Sequence, residues 1–334
     1  MTSPSSPSPR LRWGILGPGG IARAFASDLR VAGLDLAAVG SRSTDTAAAF
    51  AADFDVARVH GSYEALVSDP DVDIVYIATP HPFHAEQAIL ALEHGKHVLV
   101  EKPFTLNAAE AAAVQAVAAE RGLLAMEAMW TRYLPHMARI REIVASGALG
   151  EIRIVMADHT QKISSDPSHR LNALELGGGA FLDLGIYPVS FAWDILGEPL
   201  TLTASARLSE TGADTEVATI MSHVSGALST SISGSRSAGP NTASIIGTEA
   251  RLDIDRVWYT ATSFRVIAPD GTVLEDYVSD FEGRGMQYQA LAAERLIAAG
   301  LTDSDVLPID ETVAIMATLD EIRELVGVRY PGEE

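Results

Sequence analysis

The chain has no cysteine among its 334 residues. That absence excludes a disulfide scaffold, a cysteine nucleophile and any cysteine-based zinc or iron–sulfur site. Long apolar runs are missing too, and every uninterrupted stretch falls far short of the roughly 20 residues a membrane-spanning helix needs. Basic residues are few: Lys+Arg 24 against Asp+Glu 44, a net charge of −20. So acidic a balance argues against a binder of nucleic acid or of an anionic membrane, since both require a basic face. Lysine is the scarcest cation, present only as Lys96, Lys102 and Lys162. Where a plain positive charge suffices this chain uses arginine, so a retained lysine hints at a need for a compact ammonium. The first ten residues are rich in Ser and Pro and carry no apolar core. They read as a disordered tail, not a secretory signal, and a cytoplasmic location is expected.

What is present suits a globular chain of two domains, with 47 % hydrophobic residues. Residues 11–17, 35–41, 72–78, 97–100 and 123–127 read as short aliphatic strands. Helical spacing separates them over 20–31, 44–52, 63–67, 83–94 and 107–121, with a further helix over 135–146. This alternation predicts a doubly wound parallel sheet covered on both faces. After Gly150 the rhythm changes. Strand-like segments at 151–158, 201–206, 216–222, 226–233, 242–246, 250–254, 263–267 and 273–277 follow one another with turns such as Pro269-Asp270-Gly271 between. They predict a large, open, mostly antiparallel sheet. Helical segments fall near 181–196, 286–299 and 310–326. The expected division is a tail over 1–10, an α/β nucleotide-binding domain over 11–148 and an α+β domain over 149–334.

Gly17-Pro18-Gly19-Gly20-Ile21-Ala22 is a G-x-G-x-x-A run between the first strand and the first helix. Gly17 permits a tight turn, and Gly19 lets the backbone approach a pyrophosphate. Ala22 lets helix and strand pack closely, while the helix N-terminus around Gly20 and Ile21 offers N–H donors. The alternative is a structural glycine turn. The second strand ends Gly40-Ser41-Arg42-Ser43, with no carboxylate to take the adenosine ribose hydroxyls. Arg42 instead offers a planar fork for a 2′-phosphate, with Ser41 beside it, so NADP is expected and NAD remains possible. In an Arg-rich chain, Arg42 as an ordinary loop residue is the competing reading.

Three further segments carry a family resemblance. They are Ala78-Thr79-Pro80-His81-Pro82-Phe83-His84, His94 to Pro103 ending Glu101-Lys102-Pro103, and Gly177-Gly178-Gly179 followed by Leu182 to Pro188. Together they resemble the glucose–fructose oxidoreductase / inositol dehydrogenase / rhizopine-catabolism (Gfo/Idh/MocA) family, from Leu11 to about Val328. Met126 to Tyr133 looks like the dimeric dihydrodiol dehydrogenase / NADP-dependent xylose dehydrogenase branch. The resemblance implies a Rossmann domain and an open-sheet domain that commonly forms the oligomer interface, hence a homodimer or larger homo-oligomer. It implies that Glu101 and Lys102 sit beside the nicotinamide with Lys102 catalytic, and that Thr79, Pro80 and His84 lie near the cofactor's ribose and nicotinamide.

The chemistry of the residues agrees. Oxidising a secondary alcohol needs a hydride acceptor facing the C–H and a base near the O–H. Asp183 and Tyr187 are four apart and share a face if helical. A tyrosine titrates too high to act as a base unaided, and a nearby ammonium lowers it. Tyr187 with Lys102 is therefore the expected proton-transfer pair, with Asp183 orienting the substrate or the lysine. Family members often carry His where Tyr187 stands. A buried packing turn is the alternative for Asp183 and Tyr187. Trp130 is expected to wall the substrate pocket, or else to be interdomain core. Arg132, Arg170 and Asn172 are further substrate-contact candidates, and 281–285 a pocket-edge loop. The histidine pairs His81/His84 and His94/His97 lack the extra ligands a metal needs, so no metal is expected. The reading is an NADP(H)-dependent oxidoreductase acting on a secondary alcohol or ketone of a sugar, cyclic diol or polyol. A cofactor-binding sensor without turnover is the alternative, as is an enzyme that holds its cofactor tightly.

Overall fold

The computed structural model describes residues 10–333. All but Arg10 of the expected tail lies outside them. The first half alternates strand and helix: β1 (Arg12–Leu16), α1 (Gly20–Val31), β2 (Asp35–Gly40), α2 (Thr44–Phe54), β3 (Arg58–His60), α3 (Tyr63–Val67), β4 (Ile74–Ile77), α4 (His84–Glu93), β5 (His97–Glu101), α5 (Ala108–Arg121), β6 (Ala125–Ala128) and α6 (Pro135–Ala145). Helix starts follow from side-chain caps. Ser43 accepts the Thr46 N–H, Ser62 that of Ala65 and Asn107 that of Glu110. The strands form one parallel sheet in the order β3-β2-β1-β4-β5-β6. Strand order reverses between β1 and β4, and a crevice opens there at the strands' carboxyl ends. β3 escapes the hydrophobic pattern because its three residues, Arg58-Val59-His60, are mostly polar and pair on one edge only.

The second half contains β7 (Ile152–Thr160), α7 (Ile186–Leu196), β8 (Pro199–Leu208), β9 (Asp214–His223), β10 (Leu228–Gly234), β11 (Ala243–Gly247), β12 (Arg251–Ile254), β13 (Phe264–Ile267), β14 (Val273–Tyr277), α8 (Gln287–Ala298) and α9 (Ile309–Val326). Its eight strands run β14-β13-β12-β11-β7-β10-β9-β8, antiparallel except for the β10–β7 pair. One face carries α7, and Val155, Val217 and Ile245 are buried beneath it. The other face is open, with Met156 47 %, Ile220 53 % and Ile232 54 % exposed. The closing helices return to the first sheet. Trp13 in β1 donates to Glu294 in α8, and the Ala108 N–H at the start of α5 donates to Asp320 in α9. We keep a division near residue 148 as a proposal about folding units: it separates the two sheets but not their helical cover. No helix among the described residues is long and apolar enough to cross a membrane.

Candidate active site

The turn after β1 is shaped to receive an anion. Gly17 has φ +87, and a Cβ there would meet the Thr79 side chain at 2.8 Å. Cβ atoms at Gly19 and Gly20 would project into open space. Helix α1 has no side-chain cap and no acidic residue in its first turn, so its leading N–H groups stand free. Ala22 is fully buried against the sheet while Ile21 is only partly covered. These features fit a dinucleotide pyrophosphate. At the end of β2, Ser41 is buried and accepts the Ser43 N–H. Arg42 is exposed and lines a cleft of about 510 Å³ with Tyr63, Thr79 and Pro80. His84 faces the carbonyls of Thr79 and Pro103, at 2.7 and 2.9 Å, and is fully buried. It therefore ties the loop after β4 to the loop after β5 and presents neither nitrogen to the cleft.

The second cluster gathers at the end of β5. Lys102 Nζ donates to Asp183 Oδ1 at 2.9 Å and to the Asp183 carbonyl at 2.8 Å. The same ammonium lies 5.1 Å from the Tyr187 ring centre. Arg170 donates to Asp183 Oδ2 at 3.0 Å, and His81 Nε2 is 3.7 Å from Oδ1. The local fold explains this convergence. Residues Phe181–Gly185 form a π-helical turn before α7, not the α-helix expected over 181–196. Gly185 is forced by space, since a Cβ would meet the Phe181 ring at 2.4 Å. Pro188 has no N–H for the Leu184 carbonyl four residues earlier. His159 Nδ1, at the end of β7, donates to that carbonyl instead, at 3.1 Å. The widened turn thus hands two carbonyls, those of Asp183 and Leu184, to active-site side chains.

Electrostatics follows from burial and pairing. Burial pushes the Asp183 carboxyl up, but the charges of Lys102 and Arg170 together hold it well below the usual carboxylate range. Burial lowers Lys102, yet Asp183, Tyr187 and Glu101 outweigh it and keep the ammonium charged. Tyr187 corrects the expectation: burial raises its phenol, and Lys102 offsets that only in part, so the net direction is up. The ammonium sits over the ring and is committed to Asp183, which limits its pull on the phenol oxygen. Glu101, buried and bonded by the Tyr76 hydroxyl, rises to about 7. His81 and His159 fall to about 3 through burial and are neutral.

Other expected contacts separate. Arg132 does not face the cluster. Its guanidinium is buried and taken by Ser190, Asp194 and Glu311. Asn172 is buried and organises its own loop, donating to the Ser164 and Asp166 carbonyls and accepting from Arg236. Trp130 is 1 % exposed and gives its indole N–H to the Tyr187 oxygen at 3.0 Å. Arg170 is with the cluster and partly open. Two participants carried no readable signal as site residues, His159 and Tyr259 stacked on it at 3.8 Å; His81 was marked only by its motif and its histidine pair, and Arg284, over Trp130 at 5.2 Å, only as part of the 281–285 loop. Among the described residues no group of three or more His, Asp or Glu is placed to hold a metal ion.

A phosphate cradle at the switch point of a parallel sheet, with a cluster in which Lys102 from the end of that sheet's β5 meets Asp183 and Tyr187 from the π turn and α7, defines a dinucleotide-binding oxidoreductase. Residues 11–129 match the oxidoreductase family with an NAD-binding Rossmann fold, and residues 137–253 match the GFO/IDH/MocA C-terminal domain. The chain belongs to the Gfo/Idh/MocA family of oxidoreductases. It is 35 % identical to mouse trans-1,2-dihydrobenzene-1,2-diol dehydrogenase, covering 97 % of this chain and 99 % of that one. It is 34 % identical to the D-xylose 1-dehydrogenase (NADP(+)) of Hypocrea jecorina, covering 96 % and 93 %. Among solved structures it resembles KijD10, a 3-ketoreductase from Actinomadura kijaniata in complex with NADP and TDP-benzene. The TM-score is 0.83 at 28 % identity, over 95 % of this chain and 98 % of that one.

Proposed function

We propose that the chain interconverts a secondary alcohol and a ketone on a sugar, cyclic diol or related polyol, with NADP(H) as cofactor and Tyr187 and Lys102 handling the proton. The observation that carries this reading is the Lys102 ammonium held between the Asp183 carboxylate and the Tyr187 ring, at a strand end beside the cradle. A bound nicotinamide supplies the hydride donor or acceptor. Gly17, Gly19, Gly20, Ile21 and Ala22 would hold its pyrophosphate, Ser41 and Arg42 the adenosine end, and Thr79 and Pro80 the far wall. Arg42 at the end of β2, where no carboxylate stands to take the ribose hydroxyls, supports NADP, although Glu64, Glu86 and Glu93 line the same cleft. So do the relatives whose names include NADP.

The side chains divide the remaining work. Lys102 stays charged, so it stabilises negative charge on the reacting oxygen and on Tyr187 and is not itself the base. Tyr187 keeps its proton at neutral pH, which suits it to protonate the oxygen of a ketone being reduced. In the oxidative direction the same phenol must first lose its proton, so that direction gains with rising pH. Asp183 fixes Lys102 and, through Arg170, closes the rim. A homodimer through the open face of the second sheet and a cytoplasmic location complete the proposal. The test is a panel of sugars and cyclic diols with NADP+ and NAD+, and of the matching ketones with the reduced cofactors, read by nicotinamide absorbance. Turnover with NADP preferred supports the reading; no turnover in either direction overturns it.

A further inference from the structure

The indole of Trp130 is buried, and its N–H has one partner, the Tyr187 oxygen at 3.0 Å. An indole N–H only donates. The Tyr187 oxygen must therefore accept on that side, and its own hydrogen points elsewhere. Above the same indole lies Arg284, its guanidinium carbon 5.2 Å from the ring centre, within cation–π range. Among the described residues the Arg284 side chain makes no hydrogen bond or ion pair. Its backbone, by contrast, is pinned. The N–H groups of Arg284 and Met286 donate to the two carboxylate oxygens of buried Asp28, at 2.9 and 2.7 Å. Asp28 belongs to α1, the helix that opens on the phosphate cradle. Arg284 is itself exposed, and this anchoring of its backbone keeps the side chain beside the indole.

We propose that Trp130 and Arg284 form a relay that sets the acidity of Tyr187. The Trp130 N–H stabilises the phenolate directly, and the Arg284 cation over the indole strengthens that donor. Both are positioning residues that act through Tyr187. Other groups also face the phenol. Lys102 at the end of β5 lowers it, while Glu101 beside it and Asp183 on the π turn raise it. His159 from β7 meets the ring edge-on at 5.0 Å as a neutral imidazole, Tyr259 lies 5.3 Å away, and Tyr76 couples weakly from β4. Lys102 is tied down by Asp183. The indole N–H is thus the donor that reaches the oxygen itself, and it opposes the dominant upward push of burial.

The proposal rests on the reading of Tyr187 as the proton-transfer group, but its first readout does not depend on turnover. The chain has four tryptophans, so a ¹⁵N-labelled sample gives four indole N–H signals. Trp130 is assigned by its loss in Trp130→Phe. At neutral pH, Tyr187→Phe and Arg284→Gln are each expected to move that signal upfield, as a weakened hydrogen bond does. The second readout is the pH profile of the oxidative reaction. Trp130→Phe is expected to raise its apparent acidic midpoint by on the order of one pH unit, and Arg284→Gln by less. In the Trp130→Phe background, Arg284→Gln is expected to add little. An unmoved Trp130 signal in Arg284→Gln overturns the relay, whatever the activity. A moved signal with an unchanged pH profile in both variants keeps the contacts but overturns Tyr187 as the group that titrates in the reaction.

Discussion

At the scale of single residues, Lys102 occupies a place no arginine fits. Its ammonium donates to both a carboxylate oxygen and a carbonyl of the same residue, Asp183, beneath the Tyr187 ring. A compact, rotatable head can do this and a planar fork cannot. Lys102→Arg is expected to cut turnover at least about tenfold despite keeping the charge. Tyr187→Phe is expected to cost about 10²–10⁴-fold with little change in cofactor affinity. Wild-type rates in either variant show that the chemistry lies elsewhere. Arg42→Ala is expected to lose about 1.5–3 kcal/mol of NADP+ binding with little effect on NAD+, read by titration of both cofactors. Glu127 gives a stability test. Burial raises it to about 7 from 4.5, although Oε1 accepts the Phe104 N–H and Oε2 the Thr312 hydroxyl. Its folded value lies above the unfolded one. The stability it contributes is therefore full below 4.5 and is lost as pH rises through about 7. Glu127→Gln keeps the Phe104 contact through its amide oxygen, lets the Thr312 hydroxyl turn to accept from its amide nitrogen, and removes the titration. Between pH about 5 and about 8 it should lose less stability than the wild type, by on the order of 1–3 kcal/mol in urea melts. Parallel curves show that another group titrates. The sequence made Lys102, Asp183 and Tyr187 readable because a motif or a spacing marks them. Arg132 and Asn172 misled because a polar residue near a site looks the same whether it faces substrate or a buried partner. Their partners, Glu311 and Arg236, lie far along the chain.

At the scale of elements, the π turn Phe181–Gly185 decides where the Asp183 and Tyr187 side chains point. Periodicity at 181–196 reads as one helix, because a single widened turn shifts the apolar pattern by only one residue. The two cues that set the turn were legible only as composition: a glycine at 185 and a proline at 188. Their effect depends on the Phe181 ring and on His159, which arrive from packing. Gly185→Ala tests the device. The added methyl meets the Phe181 ring at 2.4 Å and the Ser233 hydroxyl at 2.9 Å. Overpacking of this kind costs about 1–3 kcal/mol, so a lower melting temperature is expected. Activity should fall by more than stability alone explains, since Asp183 and Tyr187 flank the site of insertion. A variant that melts earlier but turns over normally shows that the turn serves packing and not the active site. The Rossmann strands other than β3, by contrast, followed their apolar runs closely. β4 is buried along its whole length, and a fully buried parallel strand needs no alternation to be recognised.

At the scale of the whole molecule, the open face of the second sheet is the feature on which the proposed homo-oligomer rests. The registers place Ser244, Met156, Thr230, Ile220 and Thr203 abreast on five neighbouring strands. Leu228 and Ile232 flank Thr230 on the same side of β10, and both are exposed. An apolar row interleaved with Ser and Thr, broad and without a charge at its centre, is poorly suited to water. It is well suited to a second copy, since a face whose side chains mirror themselves about a twofold axis needs no separately evolved partner. The carboxylates that border the row, Asp253 abreast of Ser244 and Asp158 abreast of Ile232, are already engaged, Asp253 by the Ser244 hydroxyl and Arg251 and Asp158 by the Asn241 and Thr242 N–H groups. Light scattering is expected to report a dimer or larger assembly at micromolar concentration. Ile220→Asp with Ile232→Asp places two like charges on adjacent strands and, by symmetry, four across a twofold contact. That variant should shift toward monomer while keeping its circular dichroism and its affinity for NADP+, because the cradle belongs to the other sheet. A wild-type chain that scatters as a monomer overturns the twofold reading of this face. A variant that stays assembled moves the contact to a different surface.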